Sequence, residues 1–314
     1  MAEKIYDIII IGGGIAAHTS ALYTARANLN PLVISGTDLD QLSTTLLVEN
    51  YPGFPDGIQG PDLISNCKKQ AQKFNAKYVE EVAQSCKKNK NLFEIKTDKN
   101  VYKARSIIIA TGASPRKLGI PGEDKYWAKG ISTCAVCDSP LFKRKEVVVV
   151  GGGDSAMEET LALYKFTTKI TLIHRRNEFR ASKIMQDRVL KLKDKVTILM
   201  NTTVTEVLGD GKFVTGVKVK NVKTNKESEI KCQGFFLAIG HIPNTKILEN
   251  FVKLDKEGYI ITDKESRTSV EGVYAAGDCQ DKLFRQAITS AGTGCQAAIE
   301  SERYIEKLKA TKKY

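Results

Sequence analysis

The stretch Ile8-Ile9-Ile10-Ile11-Gly12-Gly13-Gly14-Ile15-Ala16-Ala17 decides the reading of this 314-residue chain. It is an apolar strand that runs into Gly-x-Gly-x-x-Ala and then into a helical pattern. The chain repeats it. Val147-Val148-Val149-Val150 leads into Gly151-Gly152-Gly153-Asp154-Ser155-Ala156, and again a helical pattern follows, 151 − 12 = 139 residues downstream. One such match is weak evidence, but two in the same strand–turn–helix context argue for two nucleotide-binding turns. The glycines let backbone N–H groups come close to a pyrophosphate, and the helix N-terminus adds its positive dipole end. The small residue at Ala17 or Ala156 lets helix and strand pack closely.

Outward from these turns the pattern stays α/β. Leu32 to Ile34 and Ile170 to Ile173 read as the second strand of each unit. Further short apolar runs end in Ala110-Thr111-Gly112, in Gly240-His241 after Ile239, and in Gly277-Asp278. Val101 to Arg105 and Thr203 to Ile230 read as hairpin material, with Asp210-Gly211 as a turn. The segment from Arg285 to Leu308 has helical periodicity. The expected fold is therefore two Rossmann-like α/β domains, the second inserted into the first. The first spans 1–112 and 245–314, and the second 113–244. Proline stands near both crossings, at Pro115 and Pro243.

Composition narrows the class. With 42% hydrophobic and 27% charged residues, the chain can bury a core and is not disordered. Apolar runs such as Ile8 to Ile11 fall far short of the ~20 residues that cross a bilayer. The N-terminus has no basic segment, long apolar core or small-residue cleavage site, so a cytoplasmic chain without a signal peptide is expected. The net charge of 48 − 36 = +12 is uneven. Residues 113–243 carry 23 basic and 14 acidic side chains. No aromatic-interleaved basic stripe accompanies them, so a solvated lysine surface is expected rather than nucleic-acid binding. The seven cysteines are odd in number and scattered, unlike a disulfide scaffold.

Cys134-Ala135-Val136-Cys137-Asp138 carries redox chemistry. Thiols at this spacing can close a small disulfide ring, and the adjacent carboxyl can shuttle a proton. One such pair and three unpaired histidines do not make a zinc site, and no metal is expected. The other cysteines (Cys67, Cys86, Cys232, Cys279, Cys295) read as buried small hydrophobes.

The two nucleotide turns differ. Strand Ile170 to Ile173 ends in His174-Arg175-Arg176, with Arg180 a turn further on. An NAD site usually has an acidic residue there, whereas guanidinium groups suit a 2′-phosphate, so the second turn reads as an NADPH site. The first turn is followed by Ser35-Gly36, which does not specify a nucleotide. Hydride does not pass readily from a nicotinamide to a disulfide, and a flavin can mediate. That chemical need argues for FAD in the first turn.

The chain resembles the low-molecular-weight thioredoxin reductases over nearly its whole length. The resemblance is carried by Gly12 to Ala17, Gln41-Leu42 through Glu49-Asn50-Tyr51-Pro52-Gly53, Ala110 to Gly112, Cys134 to Asp138 and Gly151 to Ala156. It continues through His174 to Arg176, Phe179-Arg180, Gly240 to Asn244, Gly277-Asp278 and Arg285 to Gly292. It implies FAD bound by Gly12, Gly14, Ala17, Gln41, Leu42, Thr45, Asn50, Ala110, Thr111, Gly112, Gly277, Asp278, Arg285, Gln286 and Ala287. For NADPH it implies Gly151, Gly153, Asp154, Ser155, Ala156, His174, Arg175, Arg176, Arg180, Ile239 and Gly240. It also implies a homodimer that reduces thioredoxin, with Cys137 facing the flavin, Cys134 attacking the partner disulfide and Asp138 as acid/base. The NADPH domain would rotate between half-reactions. The sequence departs from many relatives at Ser139-Pro140, where they carry glycine, and Cys279 lies outside the shared motifs.

Overall fold

In the computed structural model, which describes residues 4–311, the chain divides into two compact units, Met1–Ser114 with Ile242–Tyr314, and Pro115–His241.

The first unit is organised by strand Ile5–Ile11. It pairs in parallel with Pro31–Ile34 on one side and with Val101–Ile109 on the other. Lys77–Val79 extends the sheet beyond Pro31–Ile34, also in parallel. A strand sandwiched this way is buried on both faces, which explains its unbroken apolar run. Ile8 and Ile10 pack with Ala17, Ala21, Ala297 and Ala298 of helices Ile15–Arg26 and Ala287–Ala310. Ile9 and Ile11 face the other way, with Phe93, Ile95 and Leu248.

Val101–Ile109 is one strand where the sequence reads as two elements, because its partners change midway. Its first half pairs antiparallel with Leu92–Thr97, and its second half pairs in parallel with Val273–Ala275. The sheet thus takes its last parallel strand from the part of the chain that follows the inserted segment in sequence.

The second unit carries a five-stranded parallel sheet in the order Ile131–Ser132, Gly234–Ala238, Glu146–Gly151, Lys169–Ile173, Val196–Leu199. Val147 and Val149 pack with Met157 and Leu163 of helix Asp154–Tyr164. Val148 faces Val204, Val217 and Val219 of a three-stranded antiparallel sheet, Thr202–Gly209, Val214–Asn221 and Glu227–Lys231. Among the described residues, no helix is long and apolar enough to cross a membrane.

Candidate active site

Each glycine turn is shaped by its neighbours. Gly12 has φ +135°, and a Cβ there would stand 2.0 Å from the Ala110 carbonyl oxygen, so only glycine fits. The following helix starts at Ile15 with no acidic residue in its first turn, leaving its N–H groups available to an anion. Beside Gly14 the nearest atom to a built Cβ is the Asp40 Cβ at 3.8 Å. The backbone is therefore open at the position a pyrophosphate needs.

The other flavin residues implied by the resemblance gather in the same unit. Gln41 Nε2 donates to the Ala113 carbonyl at 2.7 Å and reaches Asp278 Oδ2 at 3.5 Å. Thr45 Oγ1 donates to the Gln41 carbonyl at 2.8 Å, and the Leu42 N–H donates to Asp40 Oδ1 at 2.9 Å. Ser290 Oγ donates to Asp278 Oδ1 at 2.9 Å. Burial pushes the Asp278 carboxyl up to about 6, against the hydrogen bond from Ser290. Asn50 Nδ2 donates to Gln286 Oε1 at 3.3 Å. Gln286 caps helix Ala287–Ala310 in a reciprocal box with Thr289, and Arg285 before it stands at φ +48°. Ala110 donates to the Ile11 carbonyl at 2.8 Å, Gly112 has φ +67°, and the Gly277 N–H donates to Thr293 Oγ1 at 2.9 Å. A carboxylate, three side-chain amides and an open helix N-terminus fit the ribityl, ring and pyrophosphate groups of FAD.

The second turn is built alike. A Cβ on Gly151 would stand 2.4 Å from the Ala238 carbonyl oxygen and 2.7 Å from the Ala156 Cβ, while beside Gly153 there is open space. Asp154 begins the helix and accepts from the Ser182 N–H at 2.8 Å and from Ser182 Oγ at 2.7 Å. These bonds hold its carboxyl below the usual range. Ser155 is exposed next to it, and Gly240, with φ +94° after Ile239, accepts from the Arg116 N–H at 3.0 Å. Arg175, Arg176 and Arg180 are all exposed beyond strand Lys169–Ile173. Their exposure and the open turn fit a nucleotide with an extra phosphate.

His174 differs from its arginine neighbours. It is buried, its ring lies against Gly152, and Nε2 meets the Glu178 carbonyl at 2.9 Å. Since a carbonyl only accepts, Nε2 carries the proton in this contact. Burial lowers the His174 pKa, so the ring is neutral and supports the turn from beneath.

Cys134 and Cys137 form a disulfide across a Cα–Cα distance of 5.3 Å. Cys134 caps the short helix Ala135–Asp138, and its Sγ accepts from the Cys137 N–H at 3.2 Å. Both cysteines and Asp138 are half-buried, while Val136 between the cysteines is exposed. Burial raises the Asp138 carboxyl, opposed by the hydrogen bond it accepts from Ser132 Oγ at 2.6 Å. Ser132 Oγ also accepts from the Cys134 N–H at 3.1 Å. From helix Asp154–Tyr164, Glu159 Oε2 accepts from the Ala135 N–H at 2.5 Å. The sequence reading missed both Ser132 and Glu159. Ser132 leaves a faint signal, a hydroxyl two residues before the first cysteine. Glu159 leaves none, because it meets the dithiol only through the packing of two helices.

Of the remaining cysteines, Cys86, Cys232 and Cys279 are buried as expected, whereas Cys67 and Cys295 are only partly so. Both lie on helices that keep one flank near solvent. Among the described residues, no three His, Cys, Asp or Glu side chains gather as a metal site.

Comparison with known proteins matches residues 6–294 to the pyridine nucleotide-disulphide oxidoreductases. Thioredoxin reductase of Mycolicibacterium smegmatis is 45% identical over 306 residues, covering 97% of this chain and 98% of that protein. NADPH-dependent thioredoxin reductase 3 of Arabidopsis thaliana is 46% identical over 96% of this chain, which spans only 59% of that longer protein. The crystal structure of thioredoxin reductase from Streptococcus pyogenes superposes with a TM-score of 0.93 at 39% identity, covering 98% of this chain and 100% of that one. The chain belongs to the pyridine nucleotide-disulphide oxidoreductase family, in its low-molecular-weight thioredoxin reductase branch.

Proposed function

We propose that this protein is an NADPH-dependent thioredoxin-disulfide reductase. The observation that carries the proposal is the Cys134–Cys137 disulfide, closed in the same unit as the arginine-flanked glycine turn. The net reaction transfers two electrons: NADPH, a proton and oxidised thioredoxin give NADP⁺ and reduced thioredoxin. When bound, NADPH supplies hydride and FAD relays the electron pair to the Cys134–Cys137 disulfide.

The chain's own residues do the rest. Gly12, Gly14 and the start of helix Ile15–Arg26 would hold the flavin pyrophosphate, and Asp278 would accept from a ribityl hydroxyl. Gly151, Gly153 and the start of helix Asp154–Tyr164 would hold the nicotinamide dinucleotide, with Arg175, Arg176 and Arg180 on its 2′-phosphate. After reduction, Cys134 as thiolate attacks one sulfur of the thioredoxin disulfide, and that S–S bond breaks. Cys137 then attacks the Cys134 sulfur of the mixed disulfide, which releases reduced thioredoxin and restores the Cys134–Cys137 bond. Asp138 takes and returns the proton, a role supported by the upward shift of its carboxyl. The proposal includes a homodimer, a cytoplasmic location and a rotation of the inserted unit about the crossings near Pro115 and Pro243.

The test is turnover of purified, flavin-loaded protein with NADPH and a panel of oxidised thioredoxins and glutaredoxins. Cys134→Ser and Cys137→Ser should each abolish thioredoxin reduction while flavin stays bound. Full turnover in both variants would refute the proposal, and activity confined to a non-thioredoxin partner would reassign the substrate.

A further inference from the structure

In the inserted unit the parallel sheet changes its direction of growth at one place. From Glu146–Gly151 the chain adds Lys169–Ile173 and Val196–Leu199 on one side, then returns to add Gly234–Ala238 on the other. A dinucleotide lies in the crevice outside the carboxyl ends of the strands at such a reversal. Arg175 and Arg176 follow Lys169–Ile173, so the adenosine half belongs on that side. The nicotinamide half then belongs beyond the end of Gly234–Ala238.

Arg116 stands at that second end. Gly151 is level with Ala238 in the strand register, and Gly240 lies two residues past Ala238. The Gly240 carbonyl accepts from the Arg116 N–H at 3.0 Å, which fixes the Arg116 backbone against this turn. Among the described residues, chain neighbours aside, only Arg116 Nε at 3.9 Å and Cδ at 4.0 Å come within 4 Å of a Cβ built on Gly240. An exposed guanidinium therefore lines a stretch of backbone that is otherwise open. The adjacent cation, Lys117, is engaged elsewhere, with Asp124 at 2.6 Å and over the Trp127 ring. At the glycine turn itself, the first turn of helix Asp154–Tyr164 brings a carboxylate, Asp154, and no basic side chain.

We propose that Arg116 holds the nicotinamide-side phosphate of NADPH. The two phosphates of the dinucleotide bridge need different partners. The adenosine-side phosphate is served by backbone N–H groups at the start of helix Asp154–Tyr164. The next phosphate, one bridging oxygen further on, falls toward Gly240. There the bare glycine leaves it room, and the guanidinium supplies a charge and paired N–H donors. The inference rests on the proposed NADPH site. It adds the group that reads the second half of the nucleotide, which Arg175, Arg176 and Arg180 do not reach if they hold the 2′-phosphate.

The experiment measures Kd by calorimetry in the flavin-loaded protein for NADP⁺, 2′-phospho-ADP-ribose and adenosine 2′,5′-bisphosphate. The last ligand carries the 2′-phosphate and the adenosine-side phosphate but lacks the nicotinamide-side one. Arg116→Gln should weaken NADP⁺ and 2′-phospho-ADP-ribose alike, by about threefold to tenfold, and leave adenosine 2′,5′-bisphosphate unchanged. Arg116→Lys keeps the charge and should restore most of the loss. Arg175→Ala, in contrast, should weaken all three ligands. Unchanged NADP⁺ binding in Arg116→Gln, weakening of NADP⁺ alone, or equal weakening of all three overturns the assignment. Should Arg116→Gln fail to fold, the contact is read in the parent protein by phenylglyoxal modification, located by fragmentation mass spectrometry. Saturating NADP⁺ must then slow modification of Arg116, while saturating adenosine 2′,5′-bisphosphate slows that of Arg175 and spares Arg116. Arg116 that reacts at the same rate with and without NADP⁺ overturns the assignment. A parent protein that binds none of the ligands refutes the NADPH site and this inference with it, whereas normal binding that ignores Arg116 refutes the inference alone.

Discussion

Replacing Ser132 by alanine removes one hydroxyl that serves two groups. Ser132 Oγ donates to Asp138 Oδ2 at 2.6 Å and accepts from the Cys134 N–H at 3.1 Å. The Asp138 carboxyl is already raised by burial, and this hydrogen bond is what opposes the shift. A hydrogen bond to a charged group contributes about 1.5–3 kcal/mol, so its loss moves the Asp138 carboxyl further upward. The sign follows because the bond favours the charged form, and removing it favours the protonated one. The assay is kcat against pH with saturating NADPH and thioredoxin, for the parent, Ser132→Ala and Asp138→Asn. The limb that belongs to Asp138 should shift to higher pH in Ser132→Ala and vanish in Asp138→Asn. Flavin content and Tm in the same samples separate this from loosening of the Cys134 backbone. A limb that stays in place, moves to lower pH or survives in Asp138→Asn refutes the reasoning.

Two further outcomes are expected. Arg175→Ala combined with Arg176→Ala should raise KM for NADPH far more than for NADH. A charge-assisted contact is worth about 1.5–3 kcal/mol, and because both groups are exposed to solvent the lower end applies, about tenfold. Equal effects on the two nucleotides would show that these arginines do not read the phosphate. His18 is buried beside the Tyr78 hydroxyl at 3.2 Å, and burial lowers its pKa to about 4. A histidine depressed in this way contributes stability that is present above its unfolded pKa and lost as pH falls from about 6.5 toward 4, roughly 3 kcal/mol in all. Urea unfolding at several pH values should show a flatter dependence for His18→Gln in that window, and parallel curves would exclude it.

Much of this was legible in the sequence because some positions admit few residue types. Gly12 and Gly151 are fixed by carbonyl oxygens that leave no room for a Cβ, so the turns show in the residues themselves. The buried central strands show as Ile and Val runs because both of their faces are covered. The single strand Val101–Ile109 was split in the reading, since only the far-away Val273–Ala275 reveals that its second half continues the sheet. In the site, Cys134, Cys137 and Asp138 announce themselves by spacing. His174 reads with the arginines that follow it, but a side chain's direction depends on the tertiary packing that buries it under Gly152. Glu159 was invisible for the same reason: nothing local distinguishes it from Glu158, and only the packing of helix Asp154–Tyr164 aims it at Ala135.

The divided pairing of Val101–Ile109 also has a consequence on the ribosome. Its second half waits for Val273–Ala275, which arrives 273 − 109 = 164 residues later. At about 5–20 residues per second that wait lasts roughly 8–30 s, during which the half-finished sheet presents an apolar open edge. The inserted segment has a sheet and core of its own and can fold in that interval. An unpaired edge is a template for wrong partners. A pause in synthesis after the insert is complete and before Val273 has emerged therefore prolongs the exposure of that edge.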